Sequence, residues 1–285
     1  MFVSYALIEG NMQKKLRVGI VGCGAIGTSL AKAITHDFPS QAEVSALYDS
    51  DPRKAVALAR MISKDKNSVV GSLSQLVERS SMVIEAASAR SSWEIVQRAL
   101  RGGCDCLVLS VGGIAVHIKE LSELARQRNQ RVFIPSGAIA GIDGLKAAAT
   151  GKIASVVLTT RKPPKSFRGV EYVLQKGIRL ENITKDTVLF FGSAQKAVHY
   201  FPQNINVAAV LSIAGVGLTK TKVKIIASPF VKNKTHEIEI VASTGRIIAR
   251  TENVIHPHNP KTSYLAVASA LATVRQLLDP VKVGN

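Results

Sequence analysis

Six residues, Gly22-Cys23-Gly24-Ala25-Ile26-Gly27, stand between an apolar run, 16–21, and a stretch whose apolar positions Ile26, Leu30, Ala33 and Ile34 recur at helical spacing. Strand, glycine turn and helix in that order make a phosphate cradle. Gly22 permits the tight turn, Gly24 lets a pyrophosphate approach the backbone, and Gly27 lets the helix close onto the sheet. The free N–H groups at the start of the helix, in the turn that contains Ala25 and Ile26, then hold the phosphates. A second apolar run, 44–48, ends at Asp49, which lies 22 residues beyond Gly27. A carboxylate there accepts hydrogen bonds from both adenosine ribose hydroxyls and favours NAD. Arg53, four residues on, is placed to pair with a 2′-phosphate, so NADP stays open.

Proton-transfer candidates come from six histidines, at positions 36, 117, 199, 236, 256 and 258. His36 and His117 read as surface residues of first-half helices. His236 opens the segment His236-Glu237-Ile238-Glu239-Ile240-Val241, whose alternation puts His236, Ile238 and Ile240 on one face. A histidine leading a strand's apolar face can line a cleft floor, and with an ordinary pKa of about 6.5 it can move protons near neutrality. Spacing alone nonetheless favours a merely packed histidine.

These residues need a frame to hold them. Further strand candidates at 82–86, 106–111 and 132–134 alternate with helical patterns near 93–100 and 117–127. That alternation predicts a doubly wound parallel sheet of Rossmann type. Glycine turns at 110–113 and 135–141 follow two of these strands, where ligands of open α/β sheets bind, with Ser136 to Ala138 expected closest to a nicotinamide. The second half changes character: strands at 153–161, 222–227, 236–243 and 245–251, the last two joined at Thr244-Gly245, with apolar helices at 206–214 and 264–278. The expected organisation is an N-terminal extension at 1–13, a dinucleotide-binding domain at 14–135, and an α+β substrate and dimerisation domain at 136–285. The last helix is free to pack back on the first domain.

Composition narrows the classes. The chain has 285 residues, 37 Lys and Arg against 20 Asp and Glu, and a net charge of +17. Such a field can hold nucleic acid or steer a small anion. Aromatics are only 5% and the basic residues are dispersed, unlike the interleaved patches of nucleic-acid binders, so no nucleic-acid partner is expected. No apolar run reaches the ~20 residues of a membrane span. Three cysteines, Cys23, Cys104 and Cys106, fit no disulfide framework and no metal site. They read as reduced structural thiols in a cytoplasmic protein.

The order of segments resembles the NAD(P)-dependent L-aspartate dehydrogenase family. The glycine turn, Glu-Ala-Ala-Ser at 85–88, Val-Leu-Ser-Val-Gly at 108–112 and Pro-Ser-Gly-Ala-Ile-Ala-Gly at 135–141 carry the first half of the likeness. Leu-Thr-Thr-Arg-Lys at 158–162, Phe-Pro-Gln-Asn-Ile-Asn-Val-Ala-Ala at 201–209, His-Glu-Ile at 236–238 and Asn-Pro-Lys-Thr-Ser-Tyr-Leu-Ala at 259–266 carry the second. The runs from Phe201 and from Asn259 are the most specific. The resemblance implies that Ala138 contacts the dinucleotide, that Asn206 hydrogen-bonds it at the nicotinamide end, and that His236 is catalytic, with His256 and His258 as rivals. It also implies a homodimer.

The implied reaction is reversible oxidative deamination of L-aspartate to iminoaspartate, which hydrolyses to oxaloacetate and ammonia or feeds NAD biosynthesis through a quinolinate-forming partner. Lys261 with Thr262 is expected to hold a substrate carboxylate, helped by Ser263. Arg161 and Lys162 are further candidates. Two rival readings share the first domain or the charge. One is a homoserine dehydrogenase-like or dihydrodipicolinate reductase-like oxidoreductase. The other is a non-catalytic NAD-sensing or nucleic-acid-binding protein.

Overall fold

The computed structural model describes residues 15–63, 66–201, 205–256 and 259–284; the expected extension at 1–13 lies outside them. The first lobe begins with β1 (Leu16–Val21), α1 (Ala25–Asp37), β2 (Ala42–Tyr48), α2 (Pro52–Ile62) and α3 (Leu73–Glu78). It continues with β3 (Met82–Glu85), α4 (Ala89–Arg101), β4 (Asp105–Val108), α5 (Ile118–Arg128) and β5 (Val132–Phe133). The strands form one parallel sheet in the order β2-β1-β3-β4-β5. Every residue of β3 is buried, the near-continuous burial of a sheet covered on both faces. The Rossmann-type expectation holds.

Local chemistry starts and stops these helices. Asp51 caps α2 by accepting from the Arg53 N–H at 3.1 Å, with Pro52 in the first helical position. In α4 the buried positions Ser92, Ile95, Val96, Ala99 and Leu100 form one stripe facing the sheet. Asn129 ends α5 in the left-handed region at φ 54°.

The second lobe comprises α6 (Ile142–Ala148), β6 (Ile153–Lys162), α7 (Glu171–Gln175), β7 (Thr187–Ser193), α8 (Ala194–Tyr200), α9 (Ile205–Ala214) and α10 (Gly217–Lys220). It closes with β8 (Lys222–Ala227), β9 (Lys234–Ala242), β10 (Gly245–Asn253), β11 (Ile255–His256), β12 (Asn259–Ser263) and α11 (Tyr264–Leu278). Its main sheet runs β10-β9-β6-β8-β7. Only the β6–β8 pair is parallel. β9 starts two residues earlier than the sequence pattern suggests, because Lys234 and Thr235 still pair with β10.

Two helices tie the lobes together. Ala208 and Leu211 of α9 belong to the second lobe's core, whereas Ala209 and Val210 pack into the core beneath α4. A helix apolar on every side is one buried on every side. From α11, Ala270 and Val274 join Leu30, Ile34 and Leu58 on the other face of the first sheet. The cleft lies between these ties.

Candidate active site

The glycine turn has the geometry its residue types imply. Gly22 sits at φ +97°, and a Cβ there would lie 2.4 Å from the Ala86 carbonyl oxygen. A Cβ on Gly27 would lie 2.0 Å from the Gly22 carbonyl oxygen, so this glycine is what lets α1 close on the turn. Gly24 differs: a Cβ there meets nothing within 4 Å. It caps α1 with no side-chain hydrogen bond, leaving the first-turn N–H groups, in the turn that holds Ala25 and Ile26, for an anion.

Asp49 follows β2 and closes the turn. Its Oδ2 accepts from the Cys23 N–H at 2.7 Å and its Oδ1 from the Asp51 N–H at 2.9 Å. A carboxylate has about four acceptor positions, so two remain for ribose hydroxyls. Arg53 is engaged elsewhere, with Nε and Nη2 donating to the two Asp51 oxygens at 2.9 and 3.0 Å. The open cradle over Gly24 and the half-satisfied Asp49 fit a dinucleotide. Cys23 itself is buried, and desolvation ahead of the Asp49 charge pushes its thiol up to about 12. Cys104 is likewise raised, to about 11, and Cys106 further still, both by burial first. None of the three is a reactive thiolate.

Glu85, at the end of β3, organises the crevice beside that cradle. It is fully buried, and its carboxyl accepts from the Ala87 N–H at 3.0 Å, the Ser92 hydroxyl at 3.1 Å and the Ser110 N–H at 2.9 Å. Burial raises its pKa against these donors. One side chain thereby ties together the loops following β3 and β4. Sequence reasoning gave Glu85 no role; the signal was an acid in an otherwise apolar strand.

A cavity of about 150 Å³ opens where the lobes meet, lined by Ile26, Ser136, Ala138, Asn206, Lys234 and His236 together with Thr262 and Ser263. Ala138 is fixed through its carbonyl oxygen, which accepts from Thr251 Oγ1 at 3.0 Å and Asn253 Nδ2 at 3.1 Å. Gly137, at φ +71°, donates its N–H to Ser269 Oγ of α11 at 3.0 Å. Asn206 opens α9, and its Oδ1 accepts from the Gly112 N–H at 2.9 Å, leaving its amide nitrogen for another partner. Residues from both lobes and both connecting helices thus converge here.

His236 lies in this cavity wall, 1% exposed. Its Nδ1 is 2.9 Å from Thr160 Oγ1, the residue directly opposite on β6. Its Nε2 is buried with no hydrogen-bond partner among the described residues. Burial, then the charges of Lys234 and Lys162, bring its pKa down to about 3. The imidazole is therefore neutral at physiological pH. Burial and then the Lys234 charge also lower Lys162, to about 7, and burial lowers Lys234.

Other candidates fall outside the cavity. Arg161 alternates to the opposite face of the sheet, where it meets Asp186 at 3.7 Å and Glu237 at 3.6 Å. It cannot face a substrate with Lys162, because neighbouring strand residues point to opposite sides. His256 is buried edge-on to Tyr264 and does not line the cavity. His258 and the side chain of Lys261 lie outside the described residues. The sequence pattern missed Lys234 and Thr160, although Lys234 shares the strand face of His236 two positions earlier.

Known proteins divide this chain along the same lines. Residues 22–135 match the homoserine dehydrogenase NAD-binding domain, and residues 143–277 match the aspartate dehydrogenase C-terminal domain. The L-aspartate dehydrogenase of Methanosarcina mazei is 43% identical over 274 residues, covering 95% of this chain and 100% of the relative. The chain belongs to the L-aspartate dehydrogenase family.

The Methanosarcina acetivorans member of that family is 44% identical with the same coverage. The crystal structure of aspartate dehydrogenase from Thermotoga maritima superposes with a TM-score of 0.70 at 28% identity, over 94% of this chain and 99% of that one. A homoserine dehydrogenase from Thiobacillus denitrificans reaches 0.62 at 13% identity over 93% of this chain and 73% of that one, a likeness of fold alone. The aspartate dehydrogenase C-terminal domain match, residues 143–277, includes Thr160, Lys162, Lys234 and His236.

Proposed function

We propose that this chain catalyses NAD(P)-dependent, reversible oxidative deamination of L-aspartate to iminoaspartate. Hydrolysis of that imine gives oxaloacetate and ammonia, and the imine is also available to a quinolinate-forming partner in NAD biosynthesis. The observation that carries the reading is the neutral, unpartnered Nε2 of His236 in a cavity shared with the end of a dinucleotide crevice. When bound, the nicotinamide supplies the acceptor for the hydride leaving Cα of L-aspartate.

The protein's own groups do the rest. The Gly22–Gly27 turn and Asp49 hold the phosphates and ribose, with Ala138 and Asn206 at the nicotinamide end. With Nδ1–H donating to Thr160 Oγ1, the Nε2 lone pair of His236 accepts the proton released from the substrate ammonium. Thr262 borders the same cavity and, with Lys261, takes a carboxylate of the substrate. Asp49 with an engaged Arg53 favours NAD over NADP.

The setting is a cytoplasmic enzyme of small molecules. Among the described residues no helix is long and apolar enough to cross a membrane. The outer face of the second sheet exposes Val188 and Phe191 on one edge strand and Ile248 on the other, with charged residues such as Glu239 and Lys224 between them; a second copy covering this mixed face would make a homodimer.

Oxidation of NADH or NADPH by oxaloacetate plus ammonia, each omitted in turn, tests the reaction. Oxidation that needs both is the expected result. Oxidation with oxaloacetate alone would instead indicate a hydroxy-acid dehydrogenase, and tight NADH binding without turnover an NAD sensor.

A further inference from the structure

β6 and β9 pair Thr160 with His236 and Arg161 with Thr235. The next step of the ladder brings Lys162, the last residue of β6, beside Lys234, the first of β9. Strand alternation places both lysines on the face that carries Thr160 and His236. Directly opposed like charges on a sheet destabilise it, and this pair is also withdrawn from water. Lys162 is only 4% exposed. Among the described residues neither ammonium has a carboxylate within ion-pairing distance; Lys162 has only the Phe167 ring, 5.8 Å away. Elsewhere in the chain the exposed basic residues Arg53, Arg131 and Arg246 do have acids.

Two adjacent, partly desolvated cations without an anion form half of an ion-pair site. The missing half must carry negative charge, must reach a cavity wall that Lys234 shares with His236, and must be small. We propose that Lys162 and Lys234 form the subsite for the distal, side-chain carboxylate of the substrate, and so select dicarboxylic over monocarboxylic amino and keto acids. This rests on the L-aspartate reading for the identity of the substrate, though not for the existence of the anion site. Placing the distal carboxylate on this pair directs the reacting carbon toward His236, two residues along the same strand face. The same carboxylate offsets the two charges that suppress the imidazole's basicity, so a dicarboxylate improves the base that acts on it. A monocarboxylate such as alanine or pyruvate leaves both ammonium groups unpaired, and a buried charge without a partner is costly.

The test compares oxaloacetate with pyruvate as acceptors for ammonia and NADH, in the wild type, Lys162→Met and Lys234→Met. Methionine keeps the aliphatic volume and removes a buried charge, so folding is retained, and thermal melting checks it. Each substitution is expected to lower kcat/KM for oxaloacetate about 10- to 100-fold, while kcat/KM for pyruvate stays level or rises, since one unpaired charge beside His236 is gone, and the Kd for NADH holds. Equal losses with both keto acids, or an unchanged ratio, would overturn the assignment. A second arm needs no turnover: succinate and butyrate are titrated into the NADH-loaded full-length protein by calorimetry. Preference for succinate in the wild type, lost in either variant, supports the subsite even if L-aspartate chemistry fails. Equal affinity for the two in the wild type rejects the subsite, whatever the enzyme turns over.

Discussion

Thr160 Oγ1 and His236 Nδ1 lie 2.9 Å apart across directly paired positions of β6 and β9. This one contact fixes the imidazole ring and leaves its other nitrogen to the cavity. Thr160 is wholly buried, so water cannot replace it. Thr160→Val is therefore expected to lower kcat about ten-fold, the effect of roughly 1.4 kcal/mol on the barrier, with the NADH Kd unchanged. Thr160→Ser should restore most of the rate. Steady-state kinetics on the three proteins check this, and a valine variant with full kcat would remove Thr160 from the machinery.

The three glycines of the phosphate turn should separate folding from binding. Gly24 has φ −76°, accessible to any residue, and open space where a side chain would go. Gly24→Val should leave the Tm near wild type and weaken NADH about ten-fold or more, by filling the pyrophosphate's place. Gly27→Ala puts a methyl against the Gly22 carbonyl and should cost about 1–3 kcal/mol of stability. Melting curves and NADH titrations on both variants read the two effects independently.

Asp49 joins the cradle to the ribose site, since its carboxylate already holds the Cys23 and Asp51 N–H groups. Asp49→Ser withdraws the ribose acceptor and a negative charge that opposes a 2′-phosphate. The expected result is a KM for NADH raised about ten-fold, with the NADPH-to-NADH ratio of kcat/KM moving toward NADPH. A ratio that stays put would place the ribose elsewhere.

Lys162 should leave a signature in the pH dependence of stability. Its folded pKa of about 7 lies below the ordinary 10.5, so the unfolded chain binds more protons between these values. Stability therefore rises with pH across that window and is lost again as pH falls toward 7. In the ligand-free protein, Tm should climb between about pH 8 and pH 10 more steeply in wild type than in Lys162→Met. Parallel curves for the two proteins would mean that Lys162 is not desolvated.

How far the sequence reached depended on whether the signal was local. The glycine turn, Asp49 and the alternating strand and helix pattern of the first lobe are contiguous or spaced by one connection, and they were legible as a dinucleotide fold. Family resemblance drew attention to His236 within a strand that periodicity alone would have left as packing. The partners of His236 were not legible. Thr160 lies 76 residues away, and no local pattern states which two strands become neighbours.

The amino-acid order by itself determined the cradle, its carboxylate and the face of β9 on which His236 stands, because backbone sterics and the two-residue strand period act over a few residues. Only the tertiary structure decided that β6 lies beside β9 in the register that sets Thr160 against His236 and Lys162 beside Lys234. It also decided that Arg161, expected near the substrate, turns away to Asp186 and Glu237. Strand pairing is selected by burying whole faces against α6, α8 and α9, a sum over distant residues, and the electrostatics of the cleft exist only once that sum has been made.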